Sequence, residues 1–354
     1  MKLKSPILFS VFGGILIGFT LYFWDQYANP NLIDRAAAFP TTQFNDLPQY
    51  IGSKKVAEDD TTIQPFALAM HEGKLLVAYL GSDRVDEFSP TLHFIRTLRL
   101  LNGEDGSITG VTVEQDRLYA ANFRNGEILV VDYATGTLVN SYGFFPDQKT
   151  TMKVFGIITK DEIIYATDSR TNQILAISAN EIPNLRDEGE LLLSFPSRNA
   201  QEYPKDASLR DRRSHQLSFP TFTAITPDGR LLVSDVGNKE VKAFTCSGKP
   251  AHRFETEGEA AFLAPMGIAF DDLPSPELLS LKDTIFNPSG VFQQGRIHVV
   301  DAKLGKIKVF NSLGKYILSY GSELRQPNGI AIDQSRRIIF VADTGSRVVH
   351  LYKY

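Results

Sequence analysis

The residues in this sequence whose types and spacing offer chemistry are a recurring set of carboxylates, a recurring set of cations and six histidines. Asp168, Asp235, Asp301 and Asp343, with Asn122 in register and Tyr79 once in their place, each end a short apolar run and lead into a polar turn. Four carboxylates on one face would supply the hard oxygen ligands that calcium takes. The same position has a simpler use, because a short Asp or Asn there accepts backbone N–H bonds from the turn that follows. Each stands on a separate repeat, too far from the others to share one ion. Turn-fixing is therefore the expectation, and no metal and no cofactor is assigned.

The same turns carry one cation each: Arg84, Arg124, Arg170, Lys239, Lys303 and Arg347. Arg210, Arg212 and Arg213 join them from a polar insertion at 198–219. Together they predict a basic rim that would concentrate an anionic ligand, unless neighbours such as Asp83, Glu127 and Glu240 neutralise it. A net charge of −4 for the chain argues against wholesale nucleic-acid binding, which favours a strongly basic domain.

His71, His93, His215, His252, His298 and His350 are scattered over different parts of the repeats, and His215 alone falls in a long loop. Cys246 is the single cysteine, which excludes an intramolecular disulfide and a cysteine-based metal site. No nucleophile motif and no phosphate loop is present, so no catalytic residue is assigned.

The elements that must position these groups are short strands. The stretch 326–354, QPNGIAIDQSRRIIFVADTGSRVVHLYKY, holds three apolar runs separated by two turns. With Gly329 as the ruler, the same pattern is found at Ala67, Gly110, Gly156, Phe222 and Gly267, at spacings of 43, 46, 66, 45 and 62 residues. Most units add a fourth strand, as in TLVNSYG and KYILSYG. Six units of about four strands predict an all-β fold, a six-bladed β-propeller.

Pro265-Met266-Gly267-Ile268-Ala269, Pro327-Asn328-Gly329-Ile330-Ala331, the run 233–241 and Gly314-Lys315 through Gly321 carry a more specific pattern. The sequence over 44–354 resembles the NHL-repeat family of six-bladed propellers. That resemblance implies the fold and leaves function open, since the family holds enzymes, nucleic-acid binders, sensors and scaffolds. Calcium-dependent lactonases of six-bladed type place acids at the channel, whereas the first strands here, FALAM, GVTV, FGIIT, TFTAI, MGIAF and NGIAI, contain none. Peptide-amidating lyases, which the repeats also resemble, carry zinc-binding histidines just before the ruler position; here that position holds Phe66, Thr109, Phe155, Thr221, Met266 and Asn328. Phe66, Phe155 and Met266 instead predict an apolar mouth.

The last unit lacks a fourth strand, and residues 45–53 read like one without a unit, so the N-terminal strand is expected to close the final blade and remove an unpaired edge. Upstream, Lys2 and Lys4 precede an uncharged run, 5–24, of the twenty residues a helix needs to cross about 30 Å of hydrocarbon. Asp25-Gln26-Tyr27 follows where a signal peptide would have a small-residue cleavage site. The expected organisation is a cytoplasmic tail 1–4, a transmembrane anchor 5–24, a linker 25–43 and a propeller 44–354 on the periplasmic or extracellular side. The function expected from these features is a non-catalytic scaffold that binds a protein or an anionic ligand beside the membrane. A metal-dependent propeller hydrolase or lyase, and an extracytoplasmic sensor module, are the two competing readings.

Overall fold

Short apolar runs bounded by Gly, Asn and Asp turns can satisfy their backbone only by pairing with the next run, and the chain does so blade after blade. The computed structural model describes residues 47–60, 62–143, 151–179, 191–196, 216–272 and 295–354. The apolar run 5–24, the linker, Arg210, Arg212, Arg213 and His215 lie outside the described residues. Among the described residues no helix is long and apolar enough to cross a membrane.

The architecture is a six-bladed β-propeller of four-stranded antiparallel blades. The strand next to the hub is the first of each blade: Gln64–His71, Ile108–Glu114, Val154–Lys160, Pro220–Ile225, Pro265–Asp271 and Pro327–Asp333 for blades 1 to 6. These six touch in ring order, blade 6 returning to blade 1. In blade 6 the second and third strands are Ile338–Asp343 and Val348–Lys353. The outer strand of that blade is Gln49–Lys55, antiparallel to Val348–Lys353, so the ring is closed by the N-terminal strand as the unpaired fourth-strand pattern implied.

The core is a set of seams rather than one centre. Side chains alternate between the two faces of a strand, and both faces of each blade are covered by neighbours. Six buried clusters result, such as Tyr119, Ile128, Ile157 and Ile164 between blades 2 and 3. That double burial is why most second strands, such as KLLVAYL and IIFVAD, read as nearly unbroken apolar runs.

Two backbone features place side chains at the hub. Every pairing of first and second strands shifts register at the ruler position, for example between Val154 and Ile157 and between Pro327 and Ile330. Such a bulge redirects a side chain out of the ladder. The ruler glycines, meanwhile, let adjacent first strands touch: a Cβ on Gly156 would lie 2.3 Å from the Thr221 carbonyl oxygen, and one on Gly329 2.4 Å from that of Phe66.

Candidate functional site

At the level of the bulges the hub is plugged by aromatic rings. Phe66 of blade 1 stacks on Phe222 of blade 4, the opposite blade, with centroids 5.7 Å apart. Phe155 of blade 3 meets Phe66 at 5.6 Å and Phe222 at 5.8 Å, both edge-on. Pairs of this geometry each contribute about 0.5–1.5 kcal/mol beyond the area they bury. The predicted apolar mouth is thus a floor, with Met266 packed against the same cluster. Of the other residues before the ruler, Thr109 donates its hydroxyl to the Phe155 carbonyl at 2.8 Å. The Asn328 amide donates to the Gln326 carbonyl at 3.0 Å and to Thr344. Their polar atoms bind neighbouring segments.

Above the floor stand two further rings. Phe123, in the turn after the second strand of blade 2, lies 5.6 Å from Phe155, and Phe219, just before the first strand of blade 4, lies 6.1 Å from it. The Lys153 ammonium sits 5.2 Å from the centre of the Phe123 ring. Phe219 is 44% exposed and has a φ of 52°, in the left-handed region that costs a bulky residue roughly 1–3 kcal/mol. It is clamped there. Its N–H donates to Asn172 Oδ1 at 2.7 Å, the Ser218 N–H donates to Asp235 Oδ1 at 2.7 Å, and the Gly237 N–H donates to the Ser218 carbonyl at 2.8 Å. The sequence reading missed Phe123, Phe219 and Phe222. A signal existed for Phe222, the one repeat with a large aromatic residue at the ruler, but nothing local announces the backbone of Phe219.

The recurring carboxylates are structural. Asp168 accepts the Lys153 N–H at 2.8 Å and the Thr171 N–H at 3.2 Å, and Asp301 accepts the N–H groups of Leu263, Ala264 and Leu304. Asp343 accepts those of Arg325, Gln326, Gly345 and Ser346. Each therefore ties its own turn to the inter-blade loop beside it, a second partner that the turn-fixing expectation did not include. In blade 1 this role belongs to Asp83, which binds the Leu101 and Gly103 N–H groups, while the Tyr79 hydroxyl donates to Asp86 at 2.8 Å. Among the described residues no group of three His, Cys, Asp or Glu is placed to hold a metal.

The turn cations do not form one uniform rim. Arg84 is buried, its guanidinium paired with Asp86 and Asp59 at 2.7 Å each, so its charge is spent inside blade 1. Arg124 is exposed and paired with Asp105 at 2.9 Å, and Arg170 donates to Thr151. Lys239, Lys303 and Arg347 are exposed.

The histidines make two notable networks. His350 Nε2 lies 3.2 Å from Asp343 Oδ2 and 3.3 Å from the Ser346 hydroxyl. A nucleophile relay needs the serine and the carboxylate on different ring nitrogens; here both meet Nε2, and the Asp343 carboxylate is taken up by backbone. His298, wholly buried between blades 5 and 6, has Nε2 2.7 Å from the Tyr354 hydroxyl and 3.6 Å from Asp271, with Nδ1 3.0 Å from the Tyr320 hydroxyl. Burial is the main cause that holds the His298 pKa below the ordinary 6.5, against the pull of Asp271, and burial likewise takes His252 down to about 4. In the unfolded chain both rings take up protons near pH 6.5. Stability is therefore complete above that pH and falls as the pH drops below it, because only the unfolded state binds the protons. The denaturation midpoint in urea should fall between pH 7 and pH 5, and the fall should be shallower in His252→Gln; a midpoint flat across that window would show both rings titrating freely.

These features define a closed six-bladed propeller with an aromatic cup at one mouth of its hub. No family model matches the sequence, and no curated protein matches it, so the likeness to NHL repeats reduces to the fold itself. Among solved structures the chain is similar to a streptogramin B lyase, at 15% identity and a TM-score of 0.53 over 85% of this chain and 86% of that one. It is also similar to a catalytically inactive virginiamycin B lyase from Staphylococcus aureus with quinupristin, at 14% identity and a TM-score of 0.51 over 85% of this chain and 87% of that one. This corrects the expectation of a non-catalytic scaffold, which finds no support in these two neighbours, both propellers named as lyases. That expectation came from the missing acids and histidines of the first strands, yet a site at a propeller mouth is also built from inter-blade loops and turns.

Proposed function

We propose that this propeller is a bond-cleaving enzyme, a lyase or hydrolase, that receives an apolar or aromatic part of its substrate in the cup at the hub mouth. The observation that carries the reading is Phe219: an exposed aromatic ring held in a costly backbone conformation over an aromatic floor. Strain of this kind persists where surrounding structure enforces it, and it gathers at ligand sites. Apolar walls with a few polar groups around them suit small-molecule binding. Lys153 at the cup, with exposed Arg170 and Lys239 in turns on the same face, would offer positive charge to a carbonyl oxygen that gains negative charge during cleavage. The fold shared with lyases supports the reaction class.

The test is incubation with quinupristin and with simpler cyclic esters, with and without magnesium or calcium, followed by mass spectrometry. Elimination breaks a C–H and an ester C–O bond and leaves the mass unchanged, whereas hydrolysis adds one water. Substrates left intact under every condition would remove the reading. Phe219→Gly should raise KM severalfold while stabilising the fold by about 1 kcal/mol, because glycine adopts positive φ at no steric cost; a variant that loses stability and keeps its KM would show that the ring serves only the core.

We further propose, from the uncharged run 5–24 that follows Lys2 and Lys4, that the chain is held to a membrane with the propeller outside the cytoplasm. Flotation of the full chain with vesicles, resistant to alkaline carbonate, tests the anchor.

A further inference from the structure

Large apolar side chains are exposed at several points of the ring, Leu192 and Leu193 of blade 3 among them, and those of blades 5, 6 and 1 fall on consecutive blades. In a propeller the turns between third and fourth strands open on the face opposite the turns between second and third strands. On that opposite face Phe94 and Ile95 begin the fourth strand of blade 1, directly after the turn at 89–93. Tyr50 and Ile51 begin the closing strand of blade 6, where the pairing of Gln49 with Lys353 puts them at the same end. Leu313 tops the corresponding turn of blade 5. Blades 5, 6 and 1 are consecutive in the ring. Blades 6 and 1 are also tied through Lys54, nearer the other end of the closing strand, which donates to the Leu92 carbonyl at 2.6 Å. Ile51 is 53% exposed and Phe94 56%, values that leave most of each side chain in water. The segments that carry these residues, Gln49–Lys55, 89–95 and 312–315, contain no acid, and exposed Lys315, Lys353 and His93 stand among them.

We propose that this sector rests on a phospholipid bilayer. Aromatic and aliphatic side chains interspersed with lysines suit the boundary between acyl chains and headgroup phosphates. The inference builds on the anchor reading, and the chain supplies the connection. The uncharged run ends at Trp24, and the strand that carries Tyr50 and Ile51 begins at Gln49. The residues between them extend at most about 80 Å, so a propeller tethered in this way meets the same bilayer at high effective concentration, and a weak contact is enough to orient it. The cup around Phe219 opens on the opposite face, because Phe219 precedes a first strand and Asn172, which binds it, lies in a turn between second and third strands. Seated on this sector, the ring presents its hub mouth to water.

The test uses the full chain with Cys246→Ser, carrying a single environment-sensitive fluorophore on Ile51→Cys, Phe94→Cys or, as the opposite-face control, Leu304→Cys. The labelled protein is reconstituted in phosphatidylcholine–phosphatidylglycerol vesicles with and without nitroxide-bearing acyl chains. Positions 51 and 94 should shift to shorter wavelength and lose most of their emission to the nitroxide lipid, and position 304 should do neither. A fluorophore on Ile95→Cys should escape quenching once Ile51→Asp and Phe94→Asp are added, with flotation unchanged. Protein that floats with the vesicles but shows 51 and 94 as unquenched as 304 overturns the contact and leaves the anchor standing. Protein that fails to float overturns the anchor and the contact with it. Self-quenching between labelled copies without lipid quenching assigns the sector to a second copy of the chain and also overturns the proposal.

Discussion

Removal of residues 49–55 should unfold the propeller as a whole, not trim one strand from it. The closing strand pairs six residues with Val348–Lys353, from Gln49 opposite Lys353 to Lys55 opposite Val348. The Tyr50 ring packs on His350 and Tyr352 at 5.7 and 5.6 Å. Val56 and Ala57, immediately after the strand, lie in the buried seam between blades 6 and 1. Ladder hydrogen bonds contribute about 0.5–1.5 kcal/mol each, so several kcal/mol go with the strand, against a total stability of roughly 5–15 kcal/mol for a folded domain. The deletion also bares the edge of Val348–Lys353, a template for pairing between molecules. Calorimetry and light scattering read both effects: the transition should vanish or move far down in temperature, and the protein should aggregate. A synthetic peptide of residues 47–57 added in trans should restore part of the transition. An unchanged melting temperature would mean that the ring does not depend on this closure.

Gly156→Val should be nearly as damaging, although it alters one residue. The new Cβ would stand 2.3 Å from the Thr221 carbonyl oxygen and 2.9 Å from the Phe222 Cα, both backbone of the next blade. Backbone in a closed ring cannot move aside without shifting Phe222, and with it the aromatic floor at the hub. Overpacking of a tight core costs about 1–3 kcal/mol when side chains can yield; where only backbone is met, the cost belongs to the exceptional range above about 4 kcal/mol. Gly143→Ala serves as the control, since its Cβ would meet Glu127 Cβ at an ordinary 3.6 Å. Urea midpoints should separate the two variants clearly. Equal midpoints would show that first strands do not touch through their glycines.

The repeat was legible in the sequence because its causes are local. Turn residues, strand length and the alternation of apolar runs depend on neighbours along the chain. Asp168, Asp235, Asp301 and Asp343 could be read as turn-fixing from position alone, since a short carboxylate at a strand end has backbone donors within reach. Their second task, binding the loop from the preceding blade, joins Asp343 to Arg325 and Asp301 to Leu263. Proximity across that separation is a product of the ring.

The candidate site was less legible for the same reason. Arg84 and Arg170 both follow the second strand of their blade, yet Arg84 is buried against Asp59 and Asp86, while Arg170 is exposed. The difference lies in which segment folds over each turn. Phe66, Phe155 and Met266 were identified as a mouth from their place before the ruler, but that Phe66 meets Phe222 across the ring depends on the number of blades and the diameter they close to.

The sequence by itself determined the period, the strands, the closing role of the N-terminal strand and the apolar character of the hub, since these follow from propensity and pattern along the chain. Tertiary structure alone decided that three rings from blades 1, 3 and 4 close the axis, that Phe219 is forced into positive φ above them, and that exposed apolar residues of three blades share one face. Those features arise from contacts between residues far apart in the chain, and such contacts exist only once the ring has shut.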